Sequence, residues 1–329
     1  MASIISAENV SKTFQQRVSQ PGMIGAVRGF IAPIKRPVPA VDDITFSIAA
    51  GEAVGYLGPN GAGKSTMIKM LTGILAPSAG TVTVLGRHPQ AERVANARQI
   101  GVVFGQRTQL WWELPLFESF ELHRRMYRMP ADLFARNRTD LTEMMGLSPF
   151  LDRPVRHLSL GQRMRAEIAM ALMHDPRILF LDEPTIGLDV VAKDVVRKFL
   201  SRINRERGTT IILTTHDLQD IEEICPRLIM VDEGRLLFDG AIGELRSRFG
   251  ARRRLTLEFV SEPGRVRVAG AELVGGEGRV RELLIADDGR SLIELLAALE
   301  ADVDLRDVRL HEPGIEEIIR THYQARAAA

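Results

Sequence analysis

The stretch Gly58, Pro59, Asn60, Gly61, Ala62, Gly63, Lys64, Ser65 and Thr66 restricts what this chain can fold into more than any other. It fits the pattern G-x-x-x-x-G-K-[ST], follows the strand-like VGYL and precedes the helix-like MIKMLTGIL, the context a phosphate-cradling loop requires. Glycines let backbone N–H groups close around phosphate oxygens, and the helix N-terminus adds its positive end. Lys64 is expected to reach the β- and γ-phosphates, and the Ser65 hydroxyl to ligate Mg²⁺. Two apolar strands, ILFLDEP and TTIILTTHD, are separated by an amphipathic helix from about Val191 to Glu206. This alternation implies a parallel α/β core.

The first of those strands ends in Asp182 and Glu183. Successive side chains of a strand point to opposite faces, so the two acids are expected to divide the work: Asp182 holding Mg²⁺, Glu183 polarising an attacking water. Composition narrows the setting. With 329 residues the chain has room for roughly two domains at about 150 residues each. Lys and Arg number 43 against 42 Asp and Glu, a formal charge of +1 that gives no global field for a polyanion, so no nucleic-acid partner is expected. The single cysteine, Cys225, excludes an internal disulfide and fits a reducing compartment. No apolar run approaches the roughly 18 residues of a membrane span, and the start lacks the blocks of a signal peptide.

Along the chain, SIISAENVSKTF, VDDITFSI and EAVGYLG read as strands. Between the first two, Met23, Ile24, Val27, Phe30, Ile31 and Ile34 recur at helical spacing, with Lys35, Arg36 and Pro37 closing the segment. It is either a packing helix or a membrane-side one. A helical subdomain is expected over about 113–175, broken at Pro130, at Gly146 to Pro149 and at Pro154. The hairpin-like RLIMVDEGRLLFDG follows. A boundary near Gly250 separates residues 1–249 from a small α+β domain over 250–329, with strands LTLEFVS, RVRELLIA and VDLRDVRLH. Its first helix opens with a capping box, Ser291 with Glu294, ahead of the stripe Leu292, Leu295, Leu296 and Leu299. A last helix is expected from Pro313.

These motifs together resemble the ATP-binding cassette (ABC) ATPases, over roughly Ser3 to Phe249. Ser159, Leu160, Gly161 and Gln162, after Leu158, look like the family signature, with Leu160 where a second glycine is commoner. Gln106 matches the glutamine loop, Gly187-Leu188-Asp189 the D-loop, His216 the switch histidine and Phe14 the adenine-stacking aromatic. The resemblance implies a P-loop NTPase fold: a RecA-like parallel core, an antiparallel β subdomain and a helical signature subdomain. It implies ATP and Mg²⁺ as ligands, with Ser65, Gln106 and Asp182 around the metal, and Glu183, His216 and Gln106 as catalytic residues. It also implies a head-to-tail dimer in which Ser159 of one cassette caps ATP held by Lys64 of the other.

One cassette without a membrane span resembles the ATPase subunit of a bacterial transporter whose permeases are separate chains. Such a subunit lies on the cytoplasmic face of the inner membrane. The stretch GQRTQLWWELP and the closing HEPGIEEIIRTHY look most like exporters of the drug, antibiotic and polysaccharide branch. An importer ATPase is the alternative, and a ribosome-associated factor a more remote one. Trp111 and Trp112 either line a groove for a permease helix or pack in the core.

Overall fold

The computed structural model describes residues 3–17, 35–105, 107–215, 217–248, 253–285 and 291–311. Two long strands open the chain. β1 (Ser3–Arg17) and β2 (Lys35–Ala49) pair antiparallel, in a register that sets Ser6 opposite Ser47 and Arg17 opposite Lys35. From Ile44 to Ile48, buried and exposed positions alternate, as on a sheet with one covered face. Lys35 and Arg36, expected to close a helix, instead begin β2, because their backbone pairs with Gln16 and Arg17. The apolar segment from Met23 to Ile34 lies outside the described residues.

β3 (Ala53–Leu57) is buried at every position, as a strand covered on both faces must be. β4 (Ala79–Val84) pairs antiparallel with β1, completing a three-stranded sheet of order β2-β1-β4. The remaining strands of the core are β5 (Ile100–Phe104), β6 (Ile178–Asp182), β7 (Thr210–Thr214), β8 (Arg227–Asp232) and β9 (Arg235–Ala241). With β3 they form a six-stranded sheet of order β5-β6-β7-β3-β8-β9, parallel from β5 to β8.

Parallel neighbours need crossovers, and helices supply them. Helix Lys64–Leu71 leaves β3, Val190–Arg207 joins β6 to β7, and Leu218–Ile224 joins β7 to β8. Between β5 and β6 lie Leu116–Tyr127, Ala131–Met144 and Leu160–Leu172, the last hereafter the signature helix. The expected breaks have visible causes: Pro130 caps the second of these helices and Pro154 caps a single 3₁₀ turn, Val155–His157. Ile5, Ile44, Tyr56, Met67, Ile68, Phe180, Ile212 and Ile229 form one continuous core. Tyr56 belongs to it, tilted against Phe46 with ring centroids 6.0 Å apart.

The chain divides into two compact units, Met1–Gly240 and Ala241–Ala329. In the second, β10 (Arg253–Phe259), β12 (Ala271–Gly275), β13 (Val280–Ile285) and β15 (Leu305–His311) form an antiparallel sheet of order β12-β13-β10-β15. β11 (Val266–Val268) pairs with β14 (Leu299–Ala301). Leu255, Leu257, Phe259, Leu283, Ile285 and Leu295 fill its core. The Ser291–Glu294 capping box opens helix Leu292–Ala297. Leu299 does not continue that helix; its backbone pairs with Val268 in β14. The helix expected from Pro313 lies outside the described residues. Among the described residues, no helix is long and apolar enough to cross a membrane.

Candidate active site

The phosphate loop leaves β3 and turns into helix Lys64–Leu71. Gly63 stands at the N-cap with φ 92°, and a Cβ there would overlap the Ala40 carbonyl oxygen, so both backbone conformation and space demand glycine. A Cβ on Gly58 would likewise overlap the Val231 carbonyl oxygen. Gly61 also has φ 87°, but nothing lies near where its Cβ would be. Lys64 is 7% exposed, and its ammonium donates to Gly58 O at 2.7 Å and Pro59 O at 3.1 Å, which ties it to the loop's own backbone. Burial lowers its pKa, opposed by the charges of Glu183 and Asp182.

Ser65 Oγ donates to Asp182 Oδ2 at 3.0 Å, joining the first residues of the helix to the end of β6. Thr214 Oγ1, at the end of β7, donates to Asp182 Oδ1 at 2.5 Å. The Thr214 contact was not expected; its only trace in the sequence is the hydroxyl pair that ends TTIILTT. β6 stops at Asp182, and Glu183 turns into the left-handed region with φ 55°. Alternation along a strand therefore does not separate the two acids. Their separation comes from this turn, a conformation that costs on the order of 1–3 kcal/mol for a side chain other than glycine. Glu183 N–H still donates to Thr214 O at 2.9 Å.

Behind the site, Asp220 is fully buried and gathers three donors. Arg197 Nε donates to Oδ1 at 2.5 Å, Thr215 Oγ1 donates to Oδ2 at 3.3 Å, and Thr185 Oγ1 donates to Oδ2 as well. The segments that follow β6 and β7 are thereby tied to one carboxylate. Sequence reading missed this network because each member alone looks like a solvated surface residue.

Ser159 is the N-cap of the signature helix. Its Oγ accepts from Gln162 N at 3.2 Å, while Gln162 Oε1 accepts from Ser159 N at 3.0 Å, a reciprocal capping box. Leu160 is exposed, and a Cβ on Gly161 would meet Ala192 Cβ at 3.2 Å. Asp189 caps helix Val190–Arg207 by accepting from Ala192 N at 2.8 Å, so the signature and D-loop motifs are neighbours. Phe14 lies on β1, 40% exposed, with Lys12 Nζ 5.5 Å from its ring centroid. Gln106 and His216 lie outside the described residues. Trp111 and Trp112 are 52% and 46% exposed, which is not core packing.

Residues 41–186 match the family model described as ABC transporter. The chain belongs to this family, as an ATP-binding cassette ATPase. Daunorubicin resistance ATP-binding protein DrrA3 of Streptomyces coeruleorubidus is 33% identical over 291 residues, covering 85% of this chain and 89% of that protein. Nod factor export ATP-binding protein I of Rhizobium johnstonii is 40% identical over 201 residues, covering 61% of this chain and 64% of that protein, just under two thirds of its length. Among solved structures, the dimeric cassette MJ0796, in a post-hydrolysis state bound to ADP and Pi, aligns with a TM-score of 0.59 at 26% identity. That alignment covers 72% of this chain and 98% of the other.

Proposed function

We propose that the chain is the ATP-hydrolysing subunit of an exporter, which drives separate permease subunits through ATP-dependent pairing of two cassettes. The observation that carries the chemistry is the junction at which Ser65 of the phosphate loop donates to Asp182 of β6, with Lys64 tied to the same loop. Export is supported by the names of two relatives, one of a Nod factor exporter and one of a daunorubicin resistance protein matched across both compact units.

A hydroxyl and a carboxylate already in hydrogen-bond contact suit Mg²⁺, which favours one or two protein oxygens and takes the rest from phosphates and water. Ser65 and Asp182 would hold it, and the ion would neutralise charge on the phosphates. Thr214 orients Asp182 from the other side. Lys64 leaves its carbonyl partners for phosphate oxygens, a charge-assisted exchange. Glu183, turned away from the strand, accepts hydrogen bonding from the attacking water and sets its direction. Gln106 and His216 keep the γ-phosphate roles that the family resemblance implies. Ser159 and the Gly161 N–H, at the positive end of the signature helix, cap the ATP of a second copy. Hydrolysis here is mainly positioning and electrostatics.

Glu183→Gln is expected to lower turnover by about 10², the scale of losing a positioned base, and to accumulate ATP-bound dimers in light scattering. Near-normal turnover would remove Glu183 from this role. Trp111 and Trp112 form the exposed aromatic surface that a permease helix would meet. Photocrosslinking from position 111 to a co-expressed permease checks this, and labelling of solvent only would refute it.

A further inference from the structure

Glu167 is a carboxylate in the middle of the signature helix, 3% exposed, with no role so far. Its Oε1 accepts from the Thr108 hydroxyl, and both its oxygens accept from Gln109 N–H at 3.1 Å. Thr108 Oγ1 in turn accepts from Leu110 N–H at 3.1 Å, so three successive residues hang on one side chain. Burial raises the pKa of Glu167, and the hydrogen bonds from this segment together with the Arg163 charge oppose the rise. One helical turn before Glu167, Arg163 places its guanidinium 5.5 Å from the Trp112 ring centroid. The signature helix thus grips residues 108–112 at two points on one face.

The same segment has a tether on the other side, because Gln109 Nε2 donates to Val102 O in β5. Beside the Glu167 anchor lies a cavity of about 150 Å³, walled by Phe104, Arg107, Thr108, Arg163 and Glu167. Leu110 of this segment is buried, and Trp111 N–H donates to Ser119 Oγ at 3.3 Å while Arg156 N–H donates to Trp112 O at 3.1 Å, so Glu167 acts on the Thr108–Gln109 end of a segment whose other end is tied to the neighbouring helices.

We propose that Glu167 is a positioning residue that makes the tryptophan pair move with the signature helix. Pairing of two cassettes around ATP displaces that helix, and Glu167 carries the displacement to Trp111 and Trp112. Without it, Thr108 and Gln109 lose their contact with the signature helix, the tether to Val102 is left to place them, and only the Arg163–Trp112 contact still links the segment to that helix. This rests on the reading in which Ser159 caps a second copy's nucleotide, and it adds the route by which that event reaches the exposed surface.

Trp111 and Trp112 are the only tryptophans of the chain, so tryptophan fluorescence, excited selectively over the three tyrosines, reports on this segment alone. The experiment compares acrylamide quenching of full-length wild type, Glu167→Ala, Thr108→Val and Thr108→Ser, with and without a non-hydrolysable Mg²⁺-ATP analogue. Nucleotide affinity is measured in parallel. The expected result is an analogue-dependent change in quenching for wild type that falls at least threefold in Glu167→Ala and Thr108→Val. It should persist in Thr108→Ser, which keeps the hydroxyl, with affinities in all four within about twofold. Thr108→Val serves if Glu167→Ala does not fold. An unaltered response in the folded variants would overturn the proposal, as would a wild type that binds the analogue without any response. Loss of response in step with loss of affinity would also overturn it, by placing Glu167 at the nucleotide rather than at the segment. Failure of wild type to bind the analogue would instead strike the ATPase reading itself.

Discussion

Lys64 satisfies its ammonium on the carbonyls of Gly58 and Pro59, which keeps a buried cation from standing unpaired. Charge-assisted hydrogen bonds contribute about 1.5–3 kcal/mol each, so Lys64→Ala should weaken ATP binding by roughly 10- to 100-fold. Calorimetric titration is the check, and an unchanged affinity would count against the loop assignment. Single residues also show where sequence reading reaches its limit. Lys64, Ser65 and Asp182 were legible because each belongs to a contiguous motif whose chemistry needs that residue type. Thr214 was not, since its contact with Asp182 exists only once β6 and β7 lie side by side. Arg197 and Asp220 were not legible for a different reason. Charged residues usually face water, and only tertiary packing reveals that Asp220 is fully buried and Arg197 nearly so.

The signature helix shows how one side chain can serve two ends. Ser159 caps the helix through Gln162 N–H, and loss of such a cap costs about 1 kcal/mol. Asp caps as well as Ser does, but it would bring a negative charge to the place where a second copy's phosphate is expected. Ser159→Asp should therefore change folding stability by less than about 0.5 kcal/mol while abolishing most ATPase activity. Urea melts beside turnover measurements separate the two effects; intact turnover would leave Ser159 a cap and nothing more. Several helices were legible because Pro130 and Pro154 punctuate them and Ser291 with Glu294 announces another. The short strands β11, β12 and β14 escaped notice. Val266–Val268 and Leu299–Ala301 have three residues each, too few to display alternation, and Ala271–Gly275 is largely exposed.

Stability of the whole molecule should depend on pH through a buried histidine pair. His174 Nε2 lies 3.0 Å from the Ile100 carbonyl oxygen, which can only accept, so His174 Nδ1 is left to accept from His123 Nε2 at 3.3 Å. Both rings are neutral in this arrangement. Burial and then the charge of His174 push His123 down to about 3. Burial likewise pushes His174 down to about 4, against the Ile100 carbonyl and Asp175. The unfolded chain titrates both near 6.5 and so binds protons that the fold refuses. Stability is thus complete above about pH 6.5 and falls as pH drops toward 4, by up to about 1.4 kcal/mol per unit for each histidine. Denaturant melts at pH 7.5, 6 and 5 test this, and a flat profile would contradict a neutral pair. A separate consequence follows from the place of β3 in its sheet, between β7 and β8. The strand that carries the phosphate loop is made well before either of its neighbours, which arrive only with Thr210–Thr214 and Arg227–Asp232. Contacts so distant in the chain close late. During synthesis, then, the phosphate loop should leave the ribosome well before its sheet can position it, and the nascent cassette should stay idle until Arg227–Asp232 is out.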